Sequence, residues 1–134
     1  MILDQTKVPV ENLLGEIGKG HKVALNVLNM GRFKLGAWCT AASKFAMNDA
    51  IQYAKERTQG GVPIIEHQSV KLRLFEMFRK VEAARALARR VILYNATSTA
   101  PQLHYAIASK VTATNTCYEV ASSAIQVFGG NGLS

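Results

Sequence analysis

At 134 residues, with 49% apolar and 19% charged residues, the chain has the composition of one compact folded domain and is too apolar for a disordered one. Its two cysteines, Cys39 and Cys117, have no CxxC partner and no nearby histidine pair, which argues against a disulfide scaffold or zinc site and for a reduced, intracellular protein with both as small core hydrophobes. A formal charge of +7 would suit nucleic acid only if the bases gathered on one face, whereas they are spread over predicted helices; no apolar run reaches the roughly 20 residues of a membrane span.

Residues 1–20, MILDQTKVPVENLLGEIGKG, have the proline and β-branched content of a loop or last strand, and Gly15, Gly18 and Gly20 keep a helix from starting earlier. From His21 to Arg57 there is no proline, and Val23, Val27, Met30, Trp38, Ala41, Phe45 and Ala46 keep largely helical spacing, which predicts a long first helix. Thr58 to Glu66, TQGGVPIIE, holds a glycine pair and Pro63 and forces a loop. In the second helix Val70, Leu74, Met77, Phe78, Val81, Ala84, Ala88, Val91 and Ile92 recur in steps of three and four and form its core stripe. Lys71, Arg73, Lys80, Arg85 and Arg89 mostly decorate its other side. Residues 95–101, NATSTAP, read as a turn, with Pro101 suited to the first position of a third helix. That helix is expected to reach about Phe128, to bury Leu103, Ile107, Val111, Cys117, Val120, Ala124 and Phe128, and to stop at GGNG.

Three long helices joined by short loops predict an all-α, up-down antiparallel bundle over residues 21–134, preceded by a short extended segment over 1–20. A fourth helix would complete the commoner closed arrangement, and the sequence ends just after the turn that would launch it. An apolar groove is then expected to stay open and to favour self-association.

Local chemistry is sparse. His21, His67 and His104 lie far apart without the i, i+4 partner of a helical metal site, and no nucleophile motif is present. GEIGKG lacks the Lys-Ser/Thr ending of a phosphate loop and reads as a glycine-rich hinge.

Four patterns nevertheless stand in one order: VPVENLLGEIGKGHKVALNVLNMGR, ERTQGGVPIIEHQ, a long helix, and AIQVFGGNG. Their combination resembles the acyl-CoA dehydrogenase family, from the end of its middle β-domain (residues 1–20) through three of the four helices of its C-terminal domain (21–134). The resemblance implies an FAD enzyme that removes a proton and a hydride from the α- and β-carbons of an acyl-CoA thioester. It also implies electron transfer to an electron-transfer flavoprotein, a homotetramer, and a place in the bacterial cytoplasm or mitochondrial matrix. By resemblance Arg57, Thr58, Gln59, His67 and Gln68 would reach the FAD of a neighbouring subunit, an arginine fork and glycine-freed backbone suiting its pyrophosphate. Gln126, Gly129 and Gly130 would meet its adenosine part, and Asn29 and Arg32 would lie near the reacting acyl carbons. Plainer readings coexist: Arg57 as a helix C-terminal cation, Gly129 and Gly130 as a helix-ending turn, Arg32 as the partner of an absent acid.

Two departures bear on activity. Gly60 stands where the family pattern has an aromatic, which removes a ring against the cofactor and is expected to loosen the loop. The family's catalytic glutamate usually lies beyond the GGNG turn, in a segment this sequence lacks, and the alternative position on the first helix is Gly31. No residue is assigned as catalytic base, and the isolated chain is expected to be an inactive fragment of such an enzyme. The alternative is a stand-alone helical module for oligomerisation.

Overall fold

The computed structural model describes residues 2–98 and 102–133. Three α-helices carry the chain: α1 over Gly20–Glu56, α2 over Gln68–Thr97 and α3 over Leu103–Phe128. Each begins or ends where glycine or proline, or an extended residue, interrupts the periodic pattern. Residues 2–19 are exposed and carry only a 3₁₀ turn at Val10–Asn12. Among the described residues no helix is long and apolar enough to cross a membrane.

Contacts along the helices set their directions. Gly36 lies against Ser109, and Tyr53 against Phe128, so α1 and α3 run the same way. Lys80 pairs with Glu119 and Tyr94 stacks near Tyr105, so α2 runs antiparallel to α3. The expected up-down architecture is therefore present, with α1 and α3 sharing the broadest interface. Its core is built from Met47, Ala50, Ala54, Met77, Val81, Val120 and Ala124, closed at one end by Ile64.

The α2 stripe falls where periodicity puts it: Leu74, Met77, Val81, Ala84, Ala88 and Val91 are buried. Phe78 and Ile92, also assigned to that stripe, are exposed at its edges. The α3 stripe needs a larger correction. Leu103, Ile107 and Val111 are 48%, 41% and 46% exposed, and the buried side is Ala106, Ser109, Ala113, Thr116, Val120, Ala124 and Val127. On α1 the buried residues are Gly36, Thr40, Ser43, Met47, Ala50 and Ala54, while Trp38 and Phe45 are 71% and 70% exposed. The physical reason is close approach: a Cβ at Gly36 would come within 3.1 Å of Ser109 Oγ, so small residues occupy the seam and larger ones are turned outward. Thr40 and Ser43 satisfy their hydroxyls within α1, donating to the carbonyls of Gly36 and Cys39 at 2.8 and 2.7 Å. Cys39 and Cys117 are free thiols and only half-buried, not core residues.

The turn expected at 95–101 begins later, because α2 continues to Thr97. Asn95 donates to the Val91 carbonyl at 2.9 Å and accepts from the Gln102 N–H at 3.2 Å, tying the end of α2 to the start of α3. The Pro101 position lies outside the described residues.

Candidate functional site

At one end of the bundle α1 and α3 finish and α2 begins. Between α1 and α2 a small hairpin forms, β1 over Thr58–Gln59 and β2 over Val62–Pro63, paired Thr58 to Pro63 and Gln59 to Val62. Gly60 and Gly61 at its tip have φ of +64° and +83°, the paired positive values a type I′ turn requires. Gly60 thus holds a backbone conformation of the hairpin tip that favours glycine. The Ile64 N–H donates to the Arg57 carbonyl at 2.8 Å, and His67 Nε2 donates to the Gln59 carbonyl at 3.2 Å. His67 is thereby held over the hairpin, as the extended residue between a 3₁₀ turn at Ile64–Glu66 and the start of α2.

On the opposite side α3 ends at Gly129, whose φ of +60° and ψ of −131° are open essentially to glycine alone. The chain continues as a 3₁₀ turn over Gly129–Leu133. Asn131 Nδ2 donates to the Tyr53 hydroxyl at 3.1 Å, and the Tyr53 and Phe128 rings lie 4.6 Å apart. One tyrosine on α1 therefore pins the glycine turn of α3 beside the hairpin.

These elements border an open cavity of about 440 Å³. Arg57, Gln59, His67, Gln126, Gly129 and Gly130 line it, residues 57–67 and 126–130 being brought together only by the bundle. Thr58 and Gln68 do not line it, although their neighbours do. Tyr53, Ser69, Arg73 and Asn131 join the lining and were not anticipated. A signal for two of them was available: Ser69 and Arg73 are i, i+4 on the first turns of α2, directly after His67.

The lining contains two guanidinium groups and no carboxylate. Nearby acids are committed elsewhere. Lys71 Nζ donates to Glu66 at 2.8 Å and Arg79 donates to Glu76 at 2.6 Å, each hydrogen bond holding its carboxyl below the usual range. Glu56 accepts from Gln52. The Val70 and Lys71 N–H groups both donate to the His67 carbonyl, at 3.1 and 3.0 Å, and the positive end of the α2 dipole lies at this end of the bundle, so the field favours an anion. Two arginines, amide side chains and a glycine turn fit the charged part of a dinucleotide.

Asn29 and Arg32 are not part of this cavity. They lie on α1 roughly 40 Å of helix away from Arg57, at 1.5 Å per residue. Both are half-buried, and Asn29 Oδ1 is an inaccessible acceptor with no hydrogen-bond partner among the described residues. An orphaned buried oxygen of this kind marks a place where another group belongs. Gly31 beside it presents no side chain, and a Cβ there would meet nothing within 4 Å. Among the described residues no group of three or more His, Cys, Asp or Glu is placed to hold a metal ion.

The family model described as acyl-CoA dehydrogenase, C-terminal domain, matches residues 18–134. A short-chain specific acyl-CoA dehydrogenase of Megasphaera elsdenii is 36% identical over 134 residues, all of this chain and 35% of its own length. The caffeyl-CoA reductase-Etf complex subunit CarC of Acetobacterium woodii is 35% identical over 136 residues, 98% of this chain and 35% of its own length. The solved structure of butyryl-CoA dehydrogenase from M. elsdenii matches with a TM-score of 0.93 at 35% identity, covering 99% of this chain and 34% of that one. The chain spans about a third of the length of these relatives.

Proposed function

The chain belongs to the acyl-CoA dehydrogenase family as its C-terminal helical domain, and from that premise we propose that it supplies part of the FAD site of an enzyme that dehydrogenates acyl-CoA thioesters between the α- and β-carbons. The observation that carries this reading is the convergence of Arg57, Gln59, His67, Gln126, Gly129 and Gly130 on one carboxylate-free cavity. FAD, when bound, accepts the hydride. The residues of this chain bind and orient: Arg57 offers a planar fork to the pyrophosphate, and the side-chain-free turn at Gly129 and Gly130 admits a ligand against the backbone. The His67–Gln59 hydrogen bond keeps the hairpin fixed so that Arg57 is presented in one geometry.

At the other end of α1, Asn29 and Arg32 are assigned to the acyl substrate, with the orphaned Asn29 Oδ1 as support. Gly31 leaves no carboxylate there to take the α-proton. The chain by itself therefore does not turn over. Electron transfer to an electron-transfer flavoprotein is proposed on the likeness to a subunit named for an Etf complex. The proposed setting is the bacterial cytoplasm or mitochondrial matrix, as in the relatives' family.

The test is FAD binding by equilibrium dialysis, with Arg57→Gln as the variant. Retained affinity in that variant refutes the assignment, and butyryl-CoA oxidation with a dye acceptor by the unaided chain refutes the predicted inactivity. A second reading, a helical module for self-association, is favoured by Trp38 and Phe45 standing exposed along α1. It predicts a concentration-dependent oligomer broken by Trp38→Glu, without FAD affinity; a homotetramer with FAD affinity supports the first reading.

A further inference from the structure

We propose that Arg73, with Ser69 one turn before it on α2, is a second anchor for the phosphates in this cavity, so that the anion is held by two guanidiniums, one from the end of α1 and one from α2. This inference rests on reading the cavity as a nucleotide site. Arg57 closes α1 while Arg73 lies on the second turn of α2, and both line the same space of about 440 Å³. Arg73 has a natural helical partner in Glu76, three residues on, but Glu76 is held by Arg79 at 2.6 Å. Glu66 is held by Lys71 at 2.8 Å, and no ion pair involves Arg57 or Arg73 among the described residues. Both guanidiniums are solvent-exposed, so they are screened from each other and both are open to an anion in the space they line.

Ser69 and Arg73, at i and i+4, present a hydroxyl and a guanidinium from one helix face. A diphosphate offers more acceptor oxygens, more negative charge and a longer span than a single phosphate, which suits two forks contributed by different helices. Gly60 adds a reason for a second cation in this chain. With no ring at the hairpin tip, stacking contributes nothing there, and retention of the ligand depends more on charge.

The test is calorimetric titration of the chain with ADP, inorganic pyrophosphate and adenosine, on wild type, Arg73→Gln, Arg73→Lys and Arg89→Gln. Arg89→Gln removes the same charge on the same helix outside the cavity. The expected result is that Arg73→Gln weakens ADP and pyrophosphate about tenfold, the loss of one charge-assisted contact at a partly exposed site. Arg73→Lys should recover part of it, Arg89→Gln should stay within about twofold, and adenosine should be unaffected throughout. Arg73→Gln behaving like Arg89→Gln, or weakening adenosine as much as ADP, overturns the clamp. In that case the nucleotide reading stands as long as Arg57→Gln still weakens ADP. A wild type that binds neither ADP nor FAD overturns both.

Discussion

The seam between α1 and α3 invites a quantitative perturbation at Gly36. Its missing Cβ would lie 3.1 Å from Ser109 Oγ and 3.8 and 3.9 Å from the Ser109 backbone O and C. Valine gains about 0.4 kcal/mol of helix propensity over glycine. Against that, its Cβ crowds Oγ by a few tenths of an ångström and its two methyls are driven toward the α3 backbone. Overpacking of this kind costs typically about 2 kcal/mol. Gly36→Val should therefore lose about 1.5 kcal/mol, or about 6 °C in Tm for a domain of this size. Urea unfolding followed by helical circular dichroism, with wild type and variant compared at equal protein concentration, measures the difference. Ser109→Ala removes the closest contact and leaves the backbone at 3.8 Å, so the same valine should cost about 1 kcal/mol less in that background. Gly36→Val at or above wild-type stability, or an unchanged cost beside Ser109→Ala, would refute the close-approach account of the seam.

Gly31→Ala should have the opposite sign, stabilising by about 0.8 kcal/mol in the same assay, because it is a helix-interior glycine with nothing within 4 Å of the added carbon. Gly60→Ala should cost about 1 kcal/mol and weaken ADP binding alongside it, since φ is +64° while the new Cβ meets only His67 Cε1 at an ordinary 3.7 Å. Burial pushes the Cys39 thiol up, Cys117 adds to the rise and Lys110 opposes it. The neutral thiol is thus favoured in the fold: this contribution is intact below the ordinary thiol range and lost as pH rises through the raised value. Alkylation of Cys39 by iodoacetamide should accordingly begin at higher pH than for a free thiol, and Cys117→Ala should shift the profile partway down.

Local order along the chain was legible because its causes are local. Glycine and proline at 58–66 separate α1 from α2, and steps of three and four from Val70 to Val91 identify the buried side of α2. The four motifs in one order carried the family. Of the residues assigned to the cofactor by resemblance, Arg57, Gln59, His67, Gln126, Gly129 and Gly130 line one cavity. Thr58, adjacent in sequence, does not line it, since alternate residues of a strand project to opposite sides.

Periodicity gives the angle of a residue around its helix but not the distance to the neighbouring axis. On α3 the pattern of large apolar residues points to Leu103, Ile107 and Val111, yet α1 approaches through Gly36, Thr40 and Ser43 and selects Ala106, Ser109 and Ala113 instead. The same long-range packing admits Arg73 to the cavity and strands the Asn29 oxygen without a partner. Sequence by itself determined the three helices, their breaks and the family. Tertiary structure decided which faces meet and which charges share one cavity, because both depend on pairs of residues far apart in the chain.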